Sequence, residues 1–254
     1  MGTVGIIAAM PQEREACLRF IKGWDRTRIG PFRCDRFWLL DRDCWLTTSG
    51  IGLKQAAQAT RALIESIHPQ LLVSVGVAGA VNPDLEIGDV IISRNTCLID
   101  QGLPGASQPV ALLSDAAWQA AEQALRPRRA HLLSGTAITT RGTQFIQRQP
   151  EHMTNPVLEM ETMGIVQVAM EQGIPLLSLR GISDGPRAPI PFDLEVAMDE
   201  DYNLRMGLII KSVLRHPKVM LQLGQMRRNT RKAAESAAIA LMAVLSQPEP
   251  VISP

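Results

Sequence analysis

Six nearly continuous apolar runs, rich in valine and isoleucine, dominate the hydrophobic pattern of the chain. They cover residues 3–9, 44–50, 70–79, 88–93, 130–139 and 175–183. Continuous apolarity is typical of strands that are covered on both faces. Between these runs, apolar residues at helical spacing predict helices at 53–67, 114–125 and 160–173. Strands that alternate with helices predict an α/β protein with a mostly parallel sheet and right-handed crossovers.

The C-terminal part of the chain has a different pattern. We expect one domain over residues 1–245, in which 200–245 form a basic helical extension, followed by a frayed tail at 246–254. Acidic residues are absent from Tyr202 to Ala234, whereas eight lysines and arginines accumulate there among apolar residues. A solvated helical face that packs on the core accounts for this pattern. An amphipathic surface that meets anionic lipid or nucleic acid is the alternative.

Composition limits the classes of partner. The chain has 254 residues, of which 46% are apolar and 20% charged, and its net charge is +1, so we expect no general attraction to nucleic acid. The four cysteines show neither CxxC spacing nor a histidine at metal-ligand spacing, which predicts reduced thiols and no metal site. The first ten residues lack the basic region of a secretory signal, and no apolar run has the length of a membrane span. A cytoplasmic enzyme is therefore expected.

Two acidic residues follow predicted buried strands directly. Glu13 comes after a strand that ends at Met10 and Pro11, and Asp184 follows the strand at 175–183. In open α/β sheets, ligands bind outside the carboxyl ends of the strands, so both carboxylates are candidates for chemistry. A turn aspartate that caps backbone amides is the alternative interpretation of Asp184.

Small residues mark a third candidate region, at 74–92, where Gly76 and its neighbours let the backbone approach a ligand closely. A fourth region is LEMETMG at 158–164, in which Glu159 and Glu161 flank Met160. Carboxylates two positions apart cannot face the same way on a helix, so at most one of the two enters a shared site. Alternatively, both are solvated residues that the dipole of a helix start stabilises.

An ordered set of short motifs carries a family resemblance. GIIAAMPQE, TTSGIG, SVGVAGAVNPDLEIGDVIIS, SGTAIT, LEMET and LRGISD follow one another over about residues 3–184. Together they resemble the purine nucleoside phosphorylase and nucleosidase superfamily, and within it the 5'-methylthioadenosine/S-adenosylhomocysteine nucleosidases. The resemblance implies a single-domain α/β sandwich with a mixed, partly barrelled central sheet flanked by helices. It also implies a homodimer or higher homo-oligomer that needs no metal or other cofactor.

The same resemblance implies a role for individual residues. Asp184 matches the aspartate that hydrogen-bonds the purine and delivers a proton to N7, with Ser183 and Arg180 as supports of its turn. Glu13 matches the base that activates the attacking water. Glu161 matches the glutamate that binds the ribose hydroxyls. By the same alignment, Met160 packs on the sugar, Gly76 and Met10 lie in substrate-binding motifs, and Glu159 is a structural or supporting residue.

The chain departs from the family pattern at three positions. Val77 stands where the nucleosidases have a serine, and Ile138 stands where they have a phenylalanine that stacks on adenine. Both belong to the predicted substrate site, and the loss of the aromatic ring weakens stacking on the base. Ser74 stands where the related phosphorylases have an arginine for phosphate. The loss of that cation favours water over phosphate as the nucleophile.

The expected function is hydrolysis of the N-glycosidic bond of a 5'-substituted purine nucleoside. Phosphorolysis of the same bond is one alternative, and a binding protein that has lost turnover is another. A further alternative is removal of adenine from a lipid-linked nucleoside. The ending RHPKVMLQLGQMRRNTRKA and the motif GVAGAVNPDL resemble hopanoid-associated phosphorylase-like proteins. Contact of the basic C-terminal helices with a membrane would suit such a substrate.

Overall fold

The structure is a computed structural model that describes residues 2–100, 103–140, 153–189, 218–248 and 251–253. The described strands are β1 (Thr3–Ala8), β2 (Asp25–Ile29), β3 (Phe32–Leu39), β4 (Arg42–Thr48), β5 (Leu71–Ala80), β6 (Val90–Asp100), β7 (Leu103–Pro104), β8 (Gln108–Pro109), β9 (Leu132–Thr139), β10 (Pro156–Glu159) and β11 (Leu176–Asp184). The described helices are α1 (Pro11–Leu18), α2 (Leu53–Ile67), α3 (Asp115–Leu125), α4 (Thr162–Glu171) and α5 (Lys218–Leu245).

One mixed sheet contains these strands in the order β10-β9-β6-β11-β5-β1-β4-β3-β2, with β7 and β8 paired to β6. At one end the sheet closes on itself, because β10 also pairs with β5 through Val157 with Ala80 and Leu158 with Gly79. Strands β5, β10, β9, β6 and β11 therefore form a ring. The expected mixed, partly barrelled sheet flanked by helices is confirmed.

Strand direction differs in part from the mostly parallel sheet predicted from periodicity. Strands β1, β4, β5 and β11 are parallel neighbours, but β6 runs antiparallel to β11, and β2, β3 and β4 form antiparallel pairs. An apolar run reports that a strand is buried and not which way it runs. The β2–β3 hairpin has no such run, because its strands read DRTRI and FRCDRFWL and keep several charged positions exposed.

Helices cover both faces of the sheet. Helix α5 packs on β11, α3 and α1. Its approach to β11 is so close that a side chain at Gly181 would collide with the backbone oxygen of Ala233. On the other face, α2 and α4 pack together over a cluster that includes Ile7, Leu72 and Ile165. The glycine and the alanine-rich face of α5 explain how a long helix lies against a central strand.

The C-terminal part differs from the prediction at its end. Residues 200–217 of the expected basic extension lie outside the described residues, and 218–245 form the single helix α5. Val251 is buried and its carbonyl oxygen accepts from the Ser114 backbone N–H at 3.0 Å, while Ser253 donates to the Leu112 carbonyl oxygen at 2.9 Å. These bonds attach residues 251–253 to the start of α3, whereas a frayed end was expected there. Among the described helices, none combines the length and the apolarity that crossing a membrane requires.

Candidate active site

The candidate site lies where parallel strands end together. Strands β1, β5 and β11 are parallel, so the residues after β1, the C-terminal half of β5 and Asp184 at the end of β11 share one edge of the sheet. Helix α4 adds Glu161, which stands directly before its first residue. The structure therefore gathers side chains that are far apart in sequence.

Glu13 is held at the start of α1, where Pro11 occupies the first helical position and Met10 is the N-cap. Its Oε2 accepts from the backbone N–H groups of Ala9 at 2.9 Å and Met10 at 2.8 Å, and its Oε1 accepts from Val77 at 2.9 Å. Burial raises the pKa of this carboxyl, while the three N–H groups and the charge of Arg180 oppose the rise. The side chain thus turns back across the sheet edge and binds β5.

Asp184 ends β11 beside Gly79 of β5. The Ser183 hydroxyl donates to Asp184 Oδ2 at 2.6 Å. A Cβ atom on Gly79 would lie 2.5 Å from Asp184 Oδ1, so the missing side chain makes room for the carboxyl. Burial raises the pKa of Asp184, and the Ser183 hydroxyl opposes this. A carboxyl of this kind holds its proton to a higher pH than an exposed aspartate does.

Gly76 serves Glu13 in the same way. A Cβ atom on Gly76 would lie 2.7 Å from Glu13 Oε1. The prediction from sequence was that small residues in this region admit a ligand. In the structure, Gly76 and Gly79 admit the two carboxyl groups proposed as base and acid.

Glu161 is the N-cap residue of α4. Its Oε1 accepts from the Gly52 backbone N–H at 2.9 Å, and its Oε2 accepts a longer bond of 3.3 Å from the N–H of Met160. Burial, then the nearby charges of Glu159 and Glu13, raise the pKa of Glu161 to about 8. The glycine-rich turn before α2 therefore holds this carboxyl by a backbone amide.

Glu159 and Arg180 form a buried ion pair, with Arg180 Nη2 at 3.1 Å from Glu159 Oε2. The same Nη2 donates to Ser74 Oγ at 2.6 Å and to Thr162 Oγ1 at 2.7 Å. Burial alone would raise the pKa of Glu159, but the charge of Arg180 and the donors around the carboxylate hold it below its ordinary value. Thr139 is one of those donors, through its hydroxyl.

The position of Arg180 corrects one expectation. Arg180 was predicted to support the Asp184 turn, but it bonds Glu159, Ser74 and Thr162 instead. Four residues of extended strand separate its Cα from that of Asp184 by about 13 Å. The signal in the sequence was an arginine inside the apolar run LLSLRGIS, because a buried charge needs a partner.

A small cavity of about 10 Å³ joins these groups, enough space for one water molecule. Its polar lining comes from Glu13, Glu161, Arg180, Ser49 and Ser74. The cavity thus brings together the predicted base, the predicted ribose anchor and the buried arginine.

The other predicted substrate residues differ in exposure. Met10, Val77 and Met160 are partly exposed at the sheet edge. Ile138, in contrast, is fully buried on β9 and packs with Cys97 and Ile99. It does not line the cavity. Within the described ranges, no group of three His, Cys, Asp or Glu residues is arranged to hold a metal ion.

Comparison with known proteins places this geometry in a family. The model of the phosphorylase superfamily matches residues 3–215. The chain belongs to the phosphorylase superfamily. One curated relative is the 5'-methylthioadenosine/S-adenosylhomocysteine nucleosidase of Tolumonas auensis, which is 31% identical over 214 residues. The match covers 76% of this chain and 93% of that protein. The enzyme of the same name from Haemophilus influenzae is 29% identical over 224 residues, 81% of this chain and 97% of that one.

Solved structures share the fold of this phosphorylase-superfamily chain. The nucleosidase of Neisseria meningitidis in complex with methylthio-immucillin-A aligns with a TM-score of 0.69 at 20% identity and covers 97% of this chain and 99% of that one. The nucleosidase of Colwellia psychrerythraea in complex with adenine aligns with a TM-score of 0.72 at 19% identity and covers 99% and 96%. At this identity the likeness establishes the fold.

Proposed function

We propose that the protein hydrolyses the N-glycosidic bond of a 5'-substituted purine nucleoside, of the methylthioadenosine or S-adenosylhomocysteine type, and releases the free base. Curated relatives that the chain matches over most of their length are nucleosidases of that name. The observation that carries the proposal is the convergence of Glu13 and Glu161 on one cavity, with Asp184 at the same edge of the sheet.

In the proposed mechanism, Asp184 is the acid. A purine is a poor leaving group as an anion, and a proton delivered to N7 lets it leave as a neutral molecule. Burial raises the pKa of Asp184, so this carboxyl keeps its proton to a higher pH than an exposed aspartate does, and the Ser183 hydroxyl orients it.

Glu13 is the proposed base. Three backbone N–H groups fix its carboxylate, so it presents a defined geometry to a water molecule in the cavity. As the purine leaves, the sugar gains oxocarbenium character, and a fixed carboxylate nearby stabilises that positive charge. Glu161 binds the ribose hydroxyls, with Met160 against the sugar.

Water is favoured over phosphate by the state of Arg180. The position that holds a phosphate-binding arginine in related phosphorylases is Ser74, and its hydroxyl contacts Arg180 Nη2. Glu159 already neutralises this guanidinium. A phosphate dianion at the cavity would face the carboxyls of Glu13 and Glu161 with no unpaired charge from Arg180 to offset them.

Release of free base from a panel of nucleosides tests the proposal. The panel contains methylthioadenosine, adenosine, inosine and a 5'-alkylated, lipid-like adenosine, each with and without phosphate. We expect phosphate-independent release of adenine from methylthioadenosine. Release that requires phosphate would replace hydrolysis by phosphorolysis. Release from the lipid-like substrate alone would replace the substrate class.

Asp184→Asn tests the role of Asp184 as the acid, because it keeps the shape of the side chain and removes the proton donor. We expect turnover to fall about 10²- to 10⁴-fold while the cooperative unfolding transition stays in place. An unchanged rate would contradict the role of Asp184.

Assembly, location and membrane contact stay predictions. We expect a homodimer or higher homo-oligomer in the cytoplasm, which sedimentation velocity and cell fractionation test. The exposed arginines of α5, at 227, 228 and 231, are the proposed membrane contact. Co-flotation with vesicles that contain anionic lipid tests this contact, with neutral vesicles as the control.

A further inference from the structure

The cavity contains more potential negative charge than positive charge. Glu13 enters from α1, Glu161 from the start of α4 and Arg180 from β11. Glu159 of β10 does not line the cavity, but it pairs with Arg180, which does. Three carboxyl groups therefore share the charge of one guanidinium, in surroundings that exclude most water.

The charge of Arg180 is neutralised mainly by Glu159. Besides their ion pair, Arg180 Nη1 donates to the Leu179 carbonyl oxygen at 3.1 Å. Glu159 Oε2 also accepts from the backbone N–H of Glu161 at 3.0 Å and of Thr162 at 2.7 Å. Glu159 is thus saturated with donors, as a stable carboxylate requires. Glu13 and Glu161 keep only the remainder of the Arg180 charge.

The hydrogen bonds of Glu13 and Glu161 are unequal. Glu13 accepts three backbone N–H bonds of 2.8 to 2.9 Å. Glu161 accepts one bond of 2.9 Å and one of 3.3 Å. Because N–H donors stabilise a carboxylate over the neutral acid, the negative charge is better placed on Glu13 and the proton on Glu161.

We propose that Glu159 is a positioning residue: by taking up the charge of Arg180, it keeps one proton on Glu161 and leaves Glu13 as the anion. Glu13 then enters the reaction ready to accept a proton from water. Glu161 presents both a hydroxyl donor and a carbonyl acceptor to the ribose diol. This inference rests on the proposed function, which assigns the base and the ribose anchor.

The electrostatics of the described residues agree with this arrangement. The charged groups that act on Glu161 are Glu159, Glu13 and Arg180, and together with burial they raise its pKa to about 8. Cys97 faces Glu159 from β6, but burial raises the pKa of this thiol to about 11, so it stays neutral. Removal of the Glu159 charge therefore acts on Glu161 twice, since it takes away a repelling anion and releases Arg180.

The test compares the pH profile of kcat/KM for the wild type, Glu159→Gln and Thr139→Val. The wild type should lose activity on the alkaline side with a pKa near 8, as Glu161 ionises. In Glu159→Gln this alkaline limb should move to lower pH by about one unit or more. Thr139→Val removes a hydrogen bond to Glu159 but no charge, and its alkaline limb should stay in place. A uniform loss of activity in Glu159→Gln, with the limb unmoved, would overturn the proposal.

A second measurement does not depend on turnover, so it separates failure of this inference from failure of the proposed function. The free energy of unfolding of the wild type should fall as pH rises from about 4.5 to 8, and the decline should be smaller in Glu159→Gln. Equal declines would overturn the proposal even if the protein proved not to be a nucleosidase. If Glu159→Gln does not fold, Glu161→Gln replaces it, and a decline equal to that of the wild type has the same meaning.

Discussion

Two clusters of charge in this molecule have opposite composition. At the cavity, Arg180 is shared by the lining carboxyls of Glu13 and Glu161 and by Glu159 next to it, and its side chain is 3% exposed. On the surface, three arginines converge on the single carboxylate of Glu235, which is 17% exposed. They come from the residue after α1, from the turn after α3 and from α5 itself. Those arginines, Arg19, Arg128 and Arg231, are 46%, 49% and 69% exposed.

The difference shows how burial decides the way in which excess charge is settled. At the surface, water and salt ions screen the extra positive charge, so the imbalance costs little. In the cavity, screening is weak, and the extra negative charge is reduced by keeping a proton on Glu161. Burial raises the pKa of both Glu13 and Glu161, and at Glu161 the neighbouring charges of Glu159 and Glu13 add to the rise.

The strongest way to break the comparison is to remove one arginine from each cluster. Arg180→Met leaves Glu159 as an unpaired buried charge, and we expect the free energy of unfolding to fall by about 3–5 kcal/mol. Arg231→Met, its surface control, should cost less than about 1 kcal/mol. Denaturant unfolding of both variants measures this. Equal losses would mean that burial does not distinguish the two clusters.

Space for the buried carboxyls is tested next. In Gly79→Ala the new Cβ would displace Asp184 Oδ1, and we expect turnover to fall about 10- to 100-fold through misplacement of the acid. Gly224→Ala is the control, because nothing lies within 4 Å of a Cβ at this position of α5. That change should stabilise the helix by about 0.5–1 kcal/mol and leave turnover unchanged. Turnover of Gly79→Ala equal to the wild type would show that the carboxyl moves without consequence.

The pH dependence of stability sharpens the comparison. Glu161 has a pKa raised from 4.5 to about 8, so the folded state binds the extra proton and its stability falls as pH rises through this range. Glu161→Gln mimics the neutral acid and should recover on the order of 3 kcal/mol at about pH 8 relative to pH 5, because each pKa unit corresponds to about 1.4 kcal/mol. Unfolding curves at both pH values measure the difference. A recovery that is the same at both pH values would argue against a buried titrating carboxyl.

The smallest effect is expected at the surface. Glu235→Gln leaves the three arginines without their shared carboxylate, and we expect a loss of about 0.5 kcal/mol at low salt. Added salt should remove the loss, because the arginines are exposed. Thermal unfolding at two salt concentrations tests this, and a loss that persists at high salt would place the cluster in a less solvated environment than its exposure indicates.

The sequence predicted the buried strands well and the exposed ones poorly. The runs at 70–79 and 175–183 became β5 and β11, since both strands are covered on two faces. The hairpin of β2 and β3 was not predicted, because its arginines and aspartates, several of them exposed, interrupt the apolar pattern. Strand direction and the closure of β10 onto β5 depend on contacts between distant segments, which periodicity does not report.

Site prediction had a similar limit. The ordered motifs led to Glu13, Glu161 and Asp184, which the structure brings to one edge of the sheet. The same motifs contained Glu159 and Arg180 but not their pairing, because the partners lie 21 residues apart on different strands. The burial of Ile138 among apolar neighbours also depends on three-dimensional packing.

The pairing of the last described residues has a practical consequence for handling the protein. Ser114, the N-cap of α3, binds residue 251 through its backbone N–H and Ala117 through its hydroxyl. Ser253 donates from its backbone N–H to the Leu112 carbonyl oxygen and from its hydroxyl to the Leu113 carbonyl oxygen. A shortened chain that stops at 248 would lose these hydrogen bonds and expose the start of α3 to proteases. An affinity tag should therefore be added after residues 251–253 and should not replace them.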